Sequence, residues 1–220
     1  KGEWEVYPIF VIKRSKDLMI RGSDFYAVWV EERGLWSADE EDVINMVDAE
    51  LQNEYDKVEK RHPEDKIAVK WMWNARTGSI DAWHKYCQRQ CRDNYQMLDE
   101  RVIFANEEIK KSDYATKKLN YPIEEGDISA YDSLMSVLYS PEERKKLEWA
   151  IGAIVTGDSK NIQKFEVLYG PPGSGKSTVL NLIQKLFDGY YSVFDAKALG
   201  NPNNAFALES FKQNPLVAIQ

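Results

Sequence analysis

The residues whose types and spacing most clearly suggest chemistry form a glycine-rich run late in the sequence. The run is Gly170, Pro171, Pro172, Gly173, Ser174, Gly175, Lys176, Ser177 and Thr178. It matches the pattern G-x-x-x-x-G-K-[ST], which cradles phosphate groups when a strand precedes it and a helix follows it. Glycines let the backbone turn so that successive N–H groups point at one anion. The run therefore predicts binding of a phosphorylated ligand.

Two side chains of this run have distinct expected tasks. Lys176 is expected to reach the β- and γ-phosphates as a positive point charge, and the Ser177 hydroxyl to ligate the Mg²⁺ that bridges them. A helix that begins near Lys176 adds the positive end of its dipole beneath the phosphates. We therefore predict ATP and Mg²⁺ as ligands, with all nine residues in the binding site and Lys176 as the catalytic cation.

The elements that must position this loop are predicted from local patterns. Residues 165–169 (Phe-Glu-Val-Leu-Tyr) are predicted to form a strand and residues 176–187 an amphipathic helix. Strands are predicted at residues 190–194 and 216–219, with a helix at 203–211 between them. Strands that alternate with helices indicate a parallel sheet. Hydrolysis also needs an acidic residue near the metal, normally at the end of a neighbouring strand. The apolar strand ending at Gln220 is where that acid would follow, so we expect the chain as printed to bind nucleotide but to hydrolyse it poorly.

A helical stretch precedes the loop. Residues 129–139 are predicted to form a short helix, and a second helix is predicted to begin after Ser140 and to run to Gly157. Ser140 at the N-cap, Pro141 at the first helical position and Glu143 two residues later make a capping box.

The first third of the chain is predicted to be mixed α/β. Strands are expected at residues 24–30, 67–73 and 101–104, and residues 106–126 are polar and irregular in pattern. Ser37 and Glu40 suggest a capping box for a long acidic helix, whose inner face is Val43, Val47, Leu51 and Tyr55. The predicted fold class is α/β: a parallel P-loop NTPase sheet, incomplete at the C-terminus, after an accessory α/β domain and a helical lead-in. The corresponding domains are residues 1–105, 106–158 and 159–220.

The second half of the chain resembles superfamily 3 helicases of the phage and viral primase-helicase type. The resemblance lies in residues 151–158 (Ile-Gly-Ala-Ile-Val-Thr-Gly-Asp), in residues 165–180 and in the late strand at 216–219. It implies a hexameric, AAA+-like ATPase that translocates on single-stranded or forked DNA, in the cytoplasm of the host cell if the protein is viral. It also implies phosphate and Mg²⁺ roles for Gly170, Gly175, Lys176, Ser177 and Thr178. The family's second acidic motif, sensor residue, pore loop and arginine finger would all follow Gln220.

Two other sets of residues are weaker candidates for a functional site. Residues 66–92 interleave six bases with the aromatic residues Trp71, Trp73, Trp83 and Tyr86, a composition that can bind single-stranded DNA. We favour a core role for the tryptophans and a solvated surface for the bases. A second basic cluster is also interpreted as solvated surface: Lys110, Lys111, Lys117 and Lys118. His84, Cys87 and Cys91 follow helical spacing, but a zinc site needs a fourth ligand, so we interpret the cysteines as reduced thiols.

Composition sets the remaining limits. The net charge of −7 disfavours a surface that is basic all over, and the sequence has no apolar run of about 18 residues that could cross a membrane. Because Lys1 begins neither a signal peptide nor a Met-initiated chain, we interpret the sequence as an intracellular piece of a longer protein. A P-loop nucleotide phosphotransferase and a non-hydrolysing nucleotide-binding assembly module are the alternatives to the helicase interpretation.

Overall fold

The computed structural model of the chain describes residues 2–6, 18–21, 25–71, 85, 95–200, 211 and 215–220. The chain divides into two units, one of Lys1–Leu98 with Lys110–Thr116 and one of Asp99–Ile109 with Lys117–Gln220. The architecture is mixed α/β with short parallel strand pairs, in agreement with the predicted α/β class. No helix in the described part of the chain is long and apolar enough to span a membrane.

The first unit joins two small sheets to one long helix. Its elements are β1 (Glu3–Val6), β2 (Leu18–Arg21), β3 (Phe25–Val30), β4 (Leu35–Ser37), α1 (Glu40–Arg61), β5 (Lys66–Val69) and a 3₁₀ turn (Lys111–Asp113). β1 and β5 pair in parallel, whereas β2, β3 and β4 form an antiparallel sheet in that order. The predicted inner face of α1 is confirmed for Val43, Val47 and Leu51, which are buried in one core with Val6 and Val28. Tyr55, the fourth predicted residue, is only half-buried, and its hydroxyl donates to Glu59.

The predicted capping box at the start of α1 is wrong. Asp39 is the N-cap, and its carboxylate accepts a hydrogen bond from the Glu41 N–H at 3.0 Å. Ser37 instead completes β4, and its hydroxyl donates to Asp42 Oδ2 at 2.5 Å. The pairing of β4 with β3 holds Ser37 in strand geometry, so the first residue able to cap the helix is Asp39.

The second unit contains the glycine-rich run. Its elements are α2 (Ser129–Leu138), α3 (Pro141–Val155), α4 (Ser159–Ile162), α5 (Lys176–Leu186), β6 (Tyr191–Val193), α6 (Ala196–Leu199) and β7 (Val217–Ile219). The two strands predicted after the run pair in parallel, with Tyr191 opposite Val217 and Val193 opposite Ile219. The helix predicted at residues 203–211 falls, apart from Phe211, outside the described residues.

The helical lead-in begins as predicted. The Ser140 hydroxyl accepts from the Glu143 N–H at 3.4 Å, and the Glu143 carboxylate accepts from the Ser140 N–H at 2.9 Å. This reciprocal pair satisfies two backbone donors at the start of α3. The buried residues Met135, Leu147 and Val179 then join α2, α3 and α5 in one core.

A second core surrounds Tyr190, which is 1% exposed. Its hydroxyl accepts from the Ile103 N–H at 3.2 Å and donates to the Lys117 carbonyl oxygen at 2.7 Å. The strand predicted at residues 101–104 is wrong: that segment is irregular, although Val102, Ile103 and Phe104 are buried. Because Tyr190 takes the Ile103 N–H, this backbone donor is satisfied by a side chain rather than by a neighbouring strand.

The strand predicted at residues 165–169, here named the pre-loop segment, is also wrong. Its backbone pairs with no strand in the described part of the chain, and β6 and β7 pair with each other instead. Phe165, Val167 and Tyr169 are 89%, 69% and 98% exposed, whereas Leu168 packs against the Met135 core. The apolar composition of the segment favours a strand, but a strand also requires a hydrogen-bonded neighbour.

Candidate phosphate-binding loop

Residues 170–175, here named the phosphate loop, turn from the pre-loop segment into α5. Gly173 and Gly175 have φ angles of 82° and 81°, in the left-handed region where a side chain is strained. Gly175 is the N-cap of α5, and no side chain caps this end of the helix. The first-turn N–H groups of an 11-residue helix are therefore left to an external acceptor, at the positive end of the helix dipole.

The Lys176 ammonium group lies inside the curve of the loop. It donates to the Gly170 carbonyl oxygen at 2.9 Å, to the Pro171 carbonyl oxygen at 2.8 Å and to the Ser174 hydroxyl at 3.1 Å. Three acceptors of the loop thus surround the cation that a phosphate would meet. Since an ammonium group has three N–H donors, an incoming phosphate oxygen has to replace one of these acceptors.

The rest of the motif lies at the surface. Pro171, Pro172, Gly173, Ser177 and Thr178 are exposed. Ser177 is the second residue of α5, so its hydroxyl lies next to the first-turn N–H groups. No cluster of three His, Cys, Asp or Glu side chains suited to a metal ion occurs among the described residues. A metal at the loop would therefore be held by the Ser177 hydroxyl, phosphate oxygens and water, a ligand set typical of Mg²⁺.

Packing from two sides holds α5 in place. Val179, one turn after Lys176, is 1% exposed in the core with Met135 and Leu147. At the start of the helix, a Cβ added to Gly175 would lie 2.6 Å from Leu138 Cδ2. The last residue of α2 therefore touches the glycine that opens α5. Leu138 could not be identified from the sequence, because a leucine at a helix end carries no local signal of a contact with a loop 37 residues later.

Only some of the other candidate residues belong to the described part of the chain. His84, Cys87, Cys91, Trp73, Trp83 and Tyr86 lie outside the described residues. Trp71 packs against the first unit's core, as expected for a structural tryptophan. Lys110 and Lys111 belong to the first unit, where Lys111 lies 3.9 Å from Glu31, whereas Lys117 and Lys118 belong to the second, where Lys117 lies 3.7 Å from Asp99. These four lysines are thus divided between two units.

A shallow groove of about 220 Å³ lies at the opposite end of α5 from Lys176. Its lining includes Phe104, Tyr121, Ile151, Leu186 and Phe187. Because α5 has 11 residues, its two ends are about 16 Å apart at 1.5 Å per residue. The groove is therefore a separate feature from the phosphate loop.

Comparison of the chain with protein-family models, with curated proteins and with solved structures finds no match.

Proposed function

We propose that residues 170–178 bind a nucleoside triphosphate together with Mg²⁺. The observation that carries the proposal is the Lys176 ammonium group within 3 Å of two loop carbonyl oxygens, at the uncapped N-terminus of α5. Polyphosphates are recognised by a cation, by the N–H groups at the start of a helix and by glycines in left-handed geometry. This loop brings all three together in one concave turn. The residues also fit a magnesium ion, since Ser177 exposes a hydroxyl beside them.

Binding in this proposal is an exchange of acceptors. The phosphates accept N–H bonds from the start of α5 and take over the Lys176 ammonium group from the carbonyl oxygens of Gly170 and Pro171. The Ser177 hydroxyl would help to hold the Mg²⁺, which would supply positive charge to the phosphate oxygens. Gly173 and Gly175 allow the backbone to approach the phosphates without a Cβ in the way.

We further propose that the chain is part of a replicative DNA helicase of the primase-helicase type, a hexameric ATPase acting on single-stranded or forked DNA. The support is the resemblance of residues 151–158, 165–180 and 216–219, together with the order of helical lead-in, phosphate loop and parallel strand pair along the chain. The nucleotide phosphotransferase and the non-hydrolysing assembly module are separate outcomes of the experiment below.

The experiment measures nucleotide binding and turnover in one preparation of the full-length protein, because the chain as printed is expected to hydrolyse ATP poorly. Titration with a fluorescent ATP analogue, with and without Mg²⁺, tests the phosphate loop; saturable, Mg²⁺-dependent binding is expected. ATP hydrolysis is then measured with and without single-stranded DNA, and with a nucleoside monophosphate as acceptor. Acceleration by DNA supports the helicase proposal, and phosphorylation of the monophosphate with no effect of DNA contradicts it. Binding without either activity is the result expected of an assembly module.

A further inference from the structure

Leu138, the last residue of α2, contacts the phosphate loop at Gly175. A Cβ placed on Gly175 would lie 2.6 Å from Leu138 Cδ2 and 2.8 Å from Leu138 Cδ1. Distances below 3.0 Å are not found for real Cβ atoms, so the two methyl groups of Leu138 occupy the space that a side chain at Gly175 would need. The contact joins a leucine of the helical lead-in directly to the backbone of the loop.

Leu138 is itself held firmly. Met135, one turn earlier in α2, is fully buried in the core that α2 shares with α3 and α5. The capping box of Ser140 and Glu143 fixes the turn that follows Leu138. Arg144 of α3 donates to Asp132 of α2 at 2.5 Å, which ties the two helices together. A side chain at this position therefore has little freedom to withdraw from Gly175.

We propose that Leu138 is a positioning residue for the phosphate loop, and this inference rests on the proposed function of the same site. Its two methyl groups pack against Gly175 and hold that residue in the left-handed conformation that directs the first N–H groups of α5 toward the ligand. Glycine has more accessible backbone conformations than any other residue. Without a neighbour to restrict it, Gly175 would have to be ordered when the phosphates bind, and ordering of that kind weakens affinity.

The shape of the side chain matters to this role. Leucine branches at Cγ, and both of its terminal carbons face Gly175. Isoleucine has the same number of carbons but branches at Cβ, so it cannot place two methyl groups at the same point. The positioning effect should therefore depend on the branching of the side chain as well as on its volume.

The test compares Leu138→Ala with Leu134→Ala. Leu134 lies one turn earlier in α2 and is 39% exposed, and the atoms nearest the Gly175 Cβ position belong to Leu138, so its variant makes the same chemical change on the same helix away from that contact. The first readout is the Kd for a fluorescent ATP analogue with Mg²⁺. We expect roughly tenfold weaker binding for Leu138→Ala, an unchanged Kd for Leu134→Ala, and only partial recovery in Leu138→Met, which restores the volume but not the branch at Cγ, because preorganisation sets part of the affinity.

The second readout is the Gly175 amide resonance in a ¹H–¹⁵N spectrum of the protein without nucleotide. We expect it to move in Leu138→Ala and to stay in place in Leu134→Ala. Should Leu138→Ala fail to fold, Leu138→Ile keeps the volume of the side chain and is judged by the same two readouts.

The proposal is overturned when both the Gly175 resonance and the Kd of the folded Leu138 variant equal those of the wild type. Failure of the proposed function is a different result: the wild type then binds no nucleotide, and the Gly175 resonance alone reports whether Leu138 holds the loop.

Discussion

The Nζ atom of Lys176 lies 2.9 Å from the carbonyl oxygen of Gly170, so the first residue of α5 closes the loop onto its own beginning. This bond and its companion to Pro171 give the loop a defined shape before any ligand arrives. Each phosphate oxygen that accepts from the ammonium group has to displace one of the acceptors of the loop. The energy of binding is therefore a difference between two sets of charge-assisted hydrogen bonds.

Replacement of Lys176 by alanine should abolish detectable ATP binding. The variant loses the only ammonium group that the described residues place within the loop, while the buried core of α5 around Val179 is untouched. Titration with a fluorescent ATP analogue measures the loss, and far-ultraviolet circular dichroism should show unchanged helix content. Lys185→Ala, an exposed lysine in the last turn of the same helix, is the matched control and should bind like the wild type. An unchanged affinity for ATP in Lys176→Ala would contradict the proposed role of Lys176 in binding phosphate.

Replacement of Tyr190 by phenylalanine should destabilise the second unit by about 1–3 kcal/mol, because the Ile103 N–H and the Lys117 carbonyl oxygen lose their partner inside a core. Burial raises the pKa of Tyr190 from 10.0 to about 12. Its neutral hydroxyl thus stabilises the fold fully below pH 10, and this contribution is lost as the pH rises toward 12.

Denaturant unfolding of wild type and Tyr190→Phe, measured at pH 8 and at points between pH 10 and 12, checks both effects. The stability difference between the two proteins should shrink as the pH rises. Tyr191→Phe, which changes the neighbouring residue in β6, should follow the wild type at every pH. A stability difference that stays constant up to pH 12 would contradict the titration of Tyr190.

Arg144 should stabilise the α2–α3 pair more than an ordinary surface charge does. Its guanidinium donates to Asp132 at 2.5 Å and to Glu148 at 2.6 Å, and it lies 5.1 Å from the centre of the Tyr131 ring. A double-mutant cycle of Arg144→Ala with Asp132→Ala, read by thermal unfolding, should give a favourable coupling energy. The pair of Lys146 and Glu142 on α3 is the control.

Both partners of that control pair are largely exposed, at 68% and 82%, so its cycle should give a coupling near zero. Equal coupling energies in the two cycles would show that Arg144 adds nothing beyond an ordinary surface pair.

Asp42 should make the first unit sensitive to acid. Hydrogen bonds from the Ser37 hydroxyl and the Arg33 guanidinium hold the pKa of Asp42 below 3.8. The ionised carboxylate therefore stabilises the fold above pH 3.8, and the contribution disappears as the pH falls through the lowered pKa. As the pH falls below 5, Asp42→Asn should lose less stability than the wild type. Unfolding is followed by tryptophan fluorescence.

Glu41→Gln, which changes an exposed carboxylate in the same helical turn, serves as the control for this acid series. It should keep the pH dependence of the wild type. Identical acid profiles for Asp42→Asn and the wild type would remove Asp42 as the cause.

The features predicted correctly from sequence are those encoded by neighbouring residues. The capping box of Ser140 and Glu143, the start of α5 at Lys176 and the buried face of α1 each depend on residues within a few positions of one another. The two strands after the loop were also predicted, because each is a short apolar run, and their parallel pairing follows from the alternation of strands and helices.

The wrong predictions depend on partners far away in the chain. Residues 101–104 satisfy a backbone donor through Tyr190, 87 residues from Ile103. The pre-loop segment has the composition of a strand but no paired neighbour in the described part of the chain. For the candidate site, the motif identified the loop itself, whereas the contact of Leu138 with Gly175 depends on how α2 packs and has no signature in the sequence.

The exposed pre-loop segment also bears on how the protein behaves at high concentration. Phe165, Val167 and Tyr169 offer an apolar, proline-free stretch whose backbone groups another chain could bond to, which is the starting point for β-aggregation. Lys164 precedes this stretch and Glu166 lies within it, so stacking identical chains in register would bring like charges together. These two charged side chains therefore oppose in-register stacking of the sequence that leads into the phosphate loop.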